Sequence, residues 1–312
     1  MGGRLRLADG DLDGAREHLE RSVVMASGRV SPSLALADLE LREGKYAAAQ
    51  ALIDDARSIA SVPRQHSSVL GAQIDYFRQR GMFQKAAETT DELYAVDASF
   101  RNPVNLMMGT FINRIEDYVN AGRDAQILSQ LADYATQFQP PIDELVQVGY
   151  LRYYLFKGDL ESAREPAQRV RGVIENFNRE DMEYLNDLAQ SRMLELAGDL
   201  PAAIAAIETS IEKYSQSVQS VQASSDSNIM QNKLAEFLYR TGNADGARDI
   251  LEEHLIPRPA DPRANLTLAK VLAQQGDTDS AKQSLQIALD AWTEADEGYA
   301  PAQEARDLAA QW

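Results

Sequence analysis

The chain has no cysteine among its 312 residues. That excludes disulfides, thiolate nucleophiles and Cys-based metal sites, and it fits the cytosol and the periplasm about equally. Only three histidines are present, His18, His66 and His254. They stand far apart, without the i, i+3 or i, i+4 spacing that puts two ligands on one helix face. Each reads as a surface or packing residue, and neither a metal nor another cofactor is expected. No apolar run approaches the roughly 20 residues needed to span a bilayer, and MGGRLRLADG at the start has no apolar centre of a secretory signal. Gly-rich phosphate loops, G-x-S-x-G elbows and dinucleotide fingerprints are also missing. Aromatic residues make up 7% and β-branched residues are sparse, which disfavours sheet.

What the chain does have is Ala, Leu, Gln, Glu, Asp and Arg, whose side chains lose little freedom in a helix. Its formal net charge is −17. Such a surface repels nucleic acid and anionic lipid; it suits a protein or peptide partner with basic segments, or simply keeps the chain in solution. Acidic neighbours such as Asp54 and Asp55, Glu180 and Asp181, or Glu252 and Glu253 point in different directions on a helix. A catalytic pair needs two carboxyls converging from separate elements, so no catalytic residue is assigned and no enzyme is expected. Asn265-Leu266-Thr267 matches a glycosylation triplet inside a predicted helix, where the match is accidental.

The informative pattern is a repeat. Glycines recur at Gly10, Gly44, Gly81, Gly122, Gly158, Gly198, Gly242 and Gly276, at intervals of 34 to 44 residues. Five residues after each stands Ala15, Ala49, Ala86, Ile127, Ala163, Ala203, Ala247 or Ala281. A chain leaving one helix for another passes through a left-handed residue, which glycine adopts without strain. Asp11, Asp159, Asp199, Asn243 and Asp277 follow several of these glycines and can cap the next helix. One turn later a small residue lets two helices approach to roughly 8–10 Å. Four residues before the turn come Phe77, Tyr118, Tyr154, Leu194, Leu238 and Leu272; nine after it come Leu19, Ile53, Leu131, Ile207, Leu251 and Leu285. These offsets give each helix one apolar face.

On these residues, and on segments such as LAEFLYRTGNADGARDILEEHL and LAKVLAQQGDTDSAKQSLQIAL, the chain resembles the tetratricopeptide-repeat family over nearly its whole length. Seven residues before the turn, Gly3, Ala37, Ser191, Ala235 and Ala269 match the family's small residue, whereas Ile74, Ile115 and Leu151 depart from it. The resemblance implies an all-α, right-handed superhelical solenoid of about eight helix–turn–helix repeats, a single unit over 1–312. First helices are expected near 31–43, 64–80, 103–121, 142–157, 180–197, 226–241 and 262–275. Second helices are expected near 12–26, 45–60, 83–96, 124–138, 160–176, 200–214, 244–256 and 278–293. A polar cap over 299–312, its helix near 301–311, should close the array. A Ser/Gln-rich insertion, 215–228, lengthens one unit, and Pro166 should kink a second helix. With Gly3 already mid-helix, the first repeat is truncated, so the chain is expected to be the C-terminal part of a longer protein.

In this family first helices line the concave face, and the residue six before the turn points into it. Here that ladder is Asp38, Asp75, Glu116, Arg152, Arg192, Glu236 and Lys270. It defines a groove that is acidic, then basic, then mixed, unless neighbouring charges merely pair. Arg78 and Glu195, three before their turns, share it. In the run Tyr150, Tyr153, Tyr154, Phe156, the core is expected to take Tyr150 and Tyr154, leaving Tyr153 and Phe156 exposed as contacts. The Lys/Asn clamp of chaperone-binding members is absent, since Leu34, Gly71, Ile112 and Val148 occupy its offset. The expected function is a scaffold or adaptor holding a partner segment in the groove. The alternatives are a regulatory region of a larger enzyme or signalling or export protein, and a sensor of peptides or small ligands with a closed pocket near Tyr153. Self-association through an exposed N-terminal face is also open.

Overall fold

The computed structural model describes residues 10–26, 28–176, 182–217 and 224–312, and among these there are helices and turns but no strand. The helices are α1 Leu12–Met25, α2 Val30–Arg42, α3 Tyr46–Ile59, α4 Pro63–Gln79, α5 Phe83–Ala98, α6 Ile115–Asn120, α7 Asp124–Gln137, α8 Val146–Lys157, α9 Leu160–Asn176, α10 Tyr184–Leu196, α11 Leu200–Ser217, α12 Ser224–Arg240, α13 Ala244–Leu255, α14 Pro262–Gln274, α15 Thr278–Ala291 and α16 Ala300–Gln311. They follow the expected pairs within a few residues. The helix expected over 103–121 is the irregular one: Leu106–Phe111 is π-helical and Ile112–Arg114 3-10 before α6 begins. α9 runs through Pro166, which is buried. Gly3, Glu180, Asp181 and the middle of the 215–228 insertion lie outside the described residues.

The register explains the packing. All eight residues five after the turn, from Ala15 to Ala281, are fully buried, Ile127 included. Every turn glycine has positive φ, between 69° and 88°. Contacts divide the chain into one compact unit of residues 1–102 with 248–312 and a second of residues 103–247.

The first unit contains a joint that local periodicity does not announce. The Ala260 N–H donates to Arg42 O at 2.9 Å, and the Asp296 N–H donates to Gly81 O at 3.0 Å. Arg80 Nε donates to Ala291 O at 3.0 Å, while the Asp296 carboxylate accepts from the Gln84 N–H at 2.8 Å and so caps α5. Phe83 joins Leu285, Trp292, Tyr299 and Ala302 in one core cluster. A Cβ on Gly10 would meet Ile256 Cγ2 at 2.6 Å, one on Gly44 would meet Ala260 at 3.0 Å, and one on Gly81 would meet Ala295 and Tyr299 at 2.8 Å. Glycine is needed at these turns for space as well as for φ. At Gly276, with φ +85°, nothing lies within 4 Å of the added atom.

Candidate functional site

Packing fixes which side of each first helix stays available. The residue seven before the turn is buried in all seven units with a described first helix: Ala37, Ile74, Ile115, Leu151, Ser191, Ala235 and Ala269. So are Leu39, Tyr76, Asp117, Tyr153, Phe237 and Val271, five before it, while Met193 at the same place before Gly198 is half-buried. Between these positions stands the charged ladder, and no member of it is buried.

In the first unit, Asp38 accepts from Arg42 Nε at 3.0 Å, and Asp75 lies 4.0 Å from Arg78. Lys270 is taken up by Glu304 of α16 at 2.9 Å. The sequence reading missed Arg258, which sits within electrostatic reach of Asp38, Asp75 and Asp261. Burial, and Arg42 beside it, lower its pKa against the pull of those carboxylates. Asp261 caps α14 through the Ala264 N–H at 3.0 Å and meets Nε2 of buried His254 at 3.2 Å. In the first unit an open cleft of about 380 Å³ lies among Arg57, His66, Val69, Leu70, Glu92 and Val96.

In the second unit, Arg152 Nη1 donates to Asn113 Oδ1 at 3.3 Å, and Glu116 is half-buried on α6. Two expectations of exposure are corrected here. Tyr153 is 7% exposed, whereas Tyr150 and Tyr154 are only half-buried, their rings stacked at 6.3 Å. Burial first, then the Asp124 carboxylate, push the Tyr153 hydroxyl up to about 12. A first helix packs on its own partner and on the preceding second helix as well, so its buried side is wider than one i, i+4 stripe. Phe156 is 40% exposed, as expected.

Glu195 is the second correction: its side chain is 7% exposed, at the centre of a charge cluster and not on an open surface. Arg240 Nη1 donates to its Oε1 at 2.6 Å and Lys233 Nζ to the same atom at 3.2 Å, while Arg192 Nη1 binds Oε2. Lys233 also reaches Glu236 at 2.9 Å. Burial works to raise the Glu195 pKa, but Lys233, Arg192 and Arg240 outweigh it and hold the carboxyl below its usual range. Lys233 and Arg240, both missed from sequence, lie 5.4 and 5.9 Å from the ring of buried Phe237. Their signal was available: they fall on α12 three before and four after Glu236, which marks the exposed side.

Residues 188–262 and 262–286 match two profiles of the tetratricopeptide repeat. Comparison with curated proteins by sequence found no match. Among solved structures, the chain is similar to one in the crystal structure of the APC/C hetero-tetramer Cut9–Hcn1, with TM-score 0.59 and 15% identity over 89% of this chain and 50% of that one. It thus spans half the length of that protein. A Podosopora anserina putative kinesin light chain with TPR-like repeats gives TM-score 0.38 and 14% identity, over 73% of this chain and 95% of that one. The P58(IPK) TPR domain gives 0.35 and 14%, over 99% and 87%.

Proposed function

As a member of the tetratricopeptide-repeat family, this protein, we propose, is a scaffold that holds an extended or helical segment of a partner protein on the first-helix sides of its repeats. One observation carries the reading. The residue six before every described turn from Gly44 on is charged and stays accessible, between neighbours that are buried in every unit save for the half-buried Met193 beside Arg192. Charges fixed on packed helices make a rigid surface for recognition, with little ordering left to do on binding. The contacts assigned are Asp38, Asp75 and Arg78 in one unit, and Glu116, Arg152, Phe156, Arg192 and Glu236 in the other. Tyr153 and Glu195 support this surface from below, and Lys270 is held by Glu304.

Arg152 and Phe156 share one side of α8 at i, i+4. The test replaces both, Arg152→Glu with Phe156→Ser, and compares proteins captured from lysate of the source cell by the altered and unaltered chains. Circular dichroism melts should coincide, and the altered chain should lose a specific protein that the unaltered chain retains. Identical captures by two equally folded chains would overturn the reading.

A further inference from the structure

The cluster around Glu195 carries more cation than its own carboxylates need. Arg192, Lys233 and Arg240 converge on Glu195, and among the described residues Glu236 is the only other acid that the latter two contact. Three cations thus serve two carboxylates in a chain whose net charge is −17. One buried carboxylate is neutralised by one guanidinium, so the surplus is not explained by burying Glu195.

Geometry adds a second argument. Among the described residues, Arg240 hydrogen-bonds through Nη1 alone, and Arg192 through Nη1 and, to Leu155 O at 3.4 Å, through Nε. N–H groups on both guanidiniums therefore remain for a further acceptor. All three cations are only partly covered, with side chains 29–38% exposed. Glu195 beneath them and the Phe237 ring hold long side chains that would otherwise lose rotamer freedom on binding a ligand. Arg152, on the neighbouring α8 and one turn before the Leu155 carbonyl that Arg192 reaches, adds another cation on the approach.

We propose that Arg192, Lys233 and Arg240, organised on buried Glu195, form a receptor for a carboxylate side chain of an acidic partner segment. This rests on the scaffold reading and names the chemistry of the segment held at α10 and α12. A polyphosphate backbone fits less well, because this small surplus stands in a chain that otherwise repels a charge at every nucleotide.

The test is fluorescence anisotropy of the full chain with a labelled peptide carrying four consecutive glutamates. Its glutamine counterpart and an oligothymidylate serve as competitors, at low and high salt. The glutamate peptide should bind and weaken with salt, and neither competitor should displace it. Lys233→Gln and Arg240→Gln should each weaken it about tenfold, as loss of one charge-assisted hydrogen bond implies. Lys233→Arg should restore binding, and circular dichroism should show all variants folded. Equal binding of the glutamine peptide, indifference to both Gln variants, or displacement by the oligothymidylate would overturn the proposal. Failure here alongside a capture that depends on Arg152 and Phe156 would remove the carboxylate receptor and leave the scaffold standing.

Discussion

Gly81→Ala isolates the joint in the first unit, because its backbone problem can be subtracted. Gly81 has φ +69° and Gly276 has φ +85°, so alanine at either costs about 1–2 kcal/mol in the left-handed region. At Gly276 the new methyl enters open space, and no further cost is expected. At Gly81 it would lie 2.8 Å from both Ala295 and Tyr299, and relieving that overlap adds about 1–3 kcal/mol. The displaced segment also carries Asp296, whose N–H donates to Gly81 O and whose carboxylate caps α5. Gly81→Ala should therefore destabilise by about 2–5 kcal/mol and Gly276→Ala by about 1–2 kcal/mol. Urea unfolding followed by Trp292 fluorescence measures both, in a Trp312→Phe background that leaves one reporter. Trp292 is 2% exposed and meets Tyr299 edge to face at 5.6 Å, so it senses this joint directly. Equal losses for the two variants, within about 0.5 kcal/mol, would refute the claim that residues 295–299 seat on the Gly81 turn.

Asp296→Ala should cost about 0.5–2 kcal/mol, as removal of a helix cap does. Hydrogen exchange at the Gln84 amide should quicken while the first turn of α3 keeps its rate; an unaltered Gln84 would count against the cap. The Tyr153 hydroxyl ionises at about 12 in the folded chain and at about 10 once unfolded. Its contribution to stability is therefore complete below about pH 10 and lost as pH rises through about 12, so Tyr153→Phe should flatten alkaline unfolding over that window. An unchanged slope would contradict the assignment.

The pairing of helices was legible because it is local. Glycine, a small residue five later and an apolar residue nine later lie within one turn and one helix, and each has a steric reason. Tyr153 and Glu195 were misread because burial there comes from the preceding second helix and from cations on α12. Offsets counted from a residue's own turn carry neither influence. The π-helical stretch before α6 left no mark in the register either, since Ile115 and Tyr118 keep their buried places beyond it. The joint of the first unit was invisible for a plainer reason. Gly10, Gly44 and Gly81 look like Gly276 in sequence, and only residues more than 200 positions away separate them.

That separation bears on how the protein is made. Residues 10–102 leave the ribosome well before residue 248 is joined. At about 5–20 residues per second, the first repeats wait roughly 7–30 s for the segment that covers their turns. During that interval Phe83 lacks Trp292 and Tyr299, and α5 lacks its cap from Asp296. Residues 248–312 therefore complete repeats made well before them, and slowing translation between the two segments would lengthen the exposure of repeats already formed.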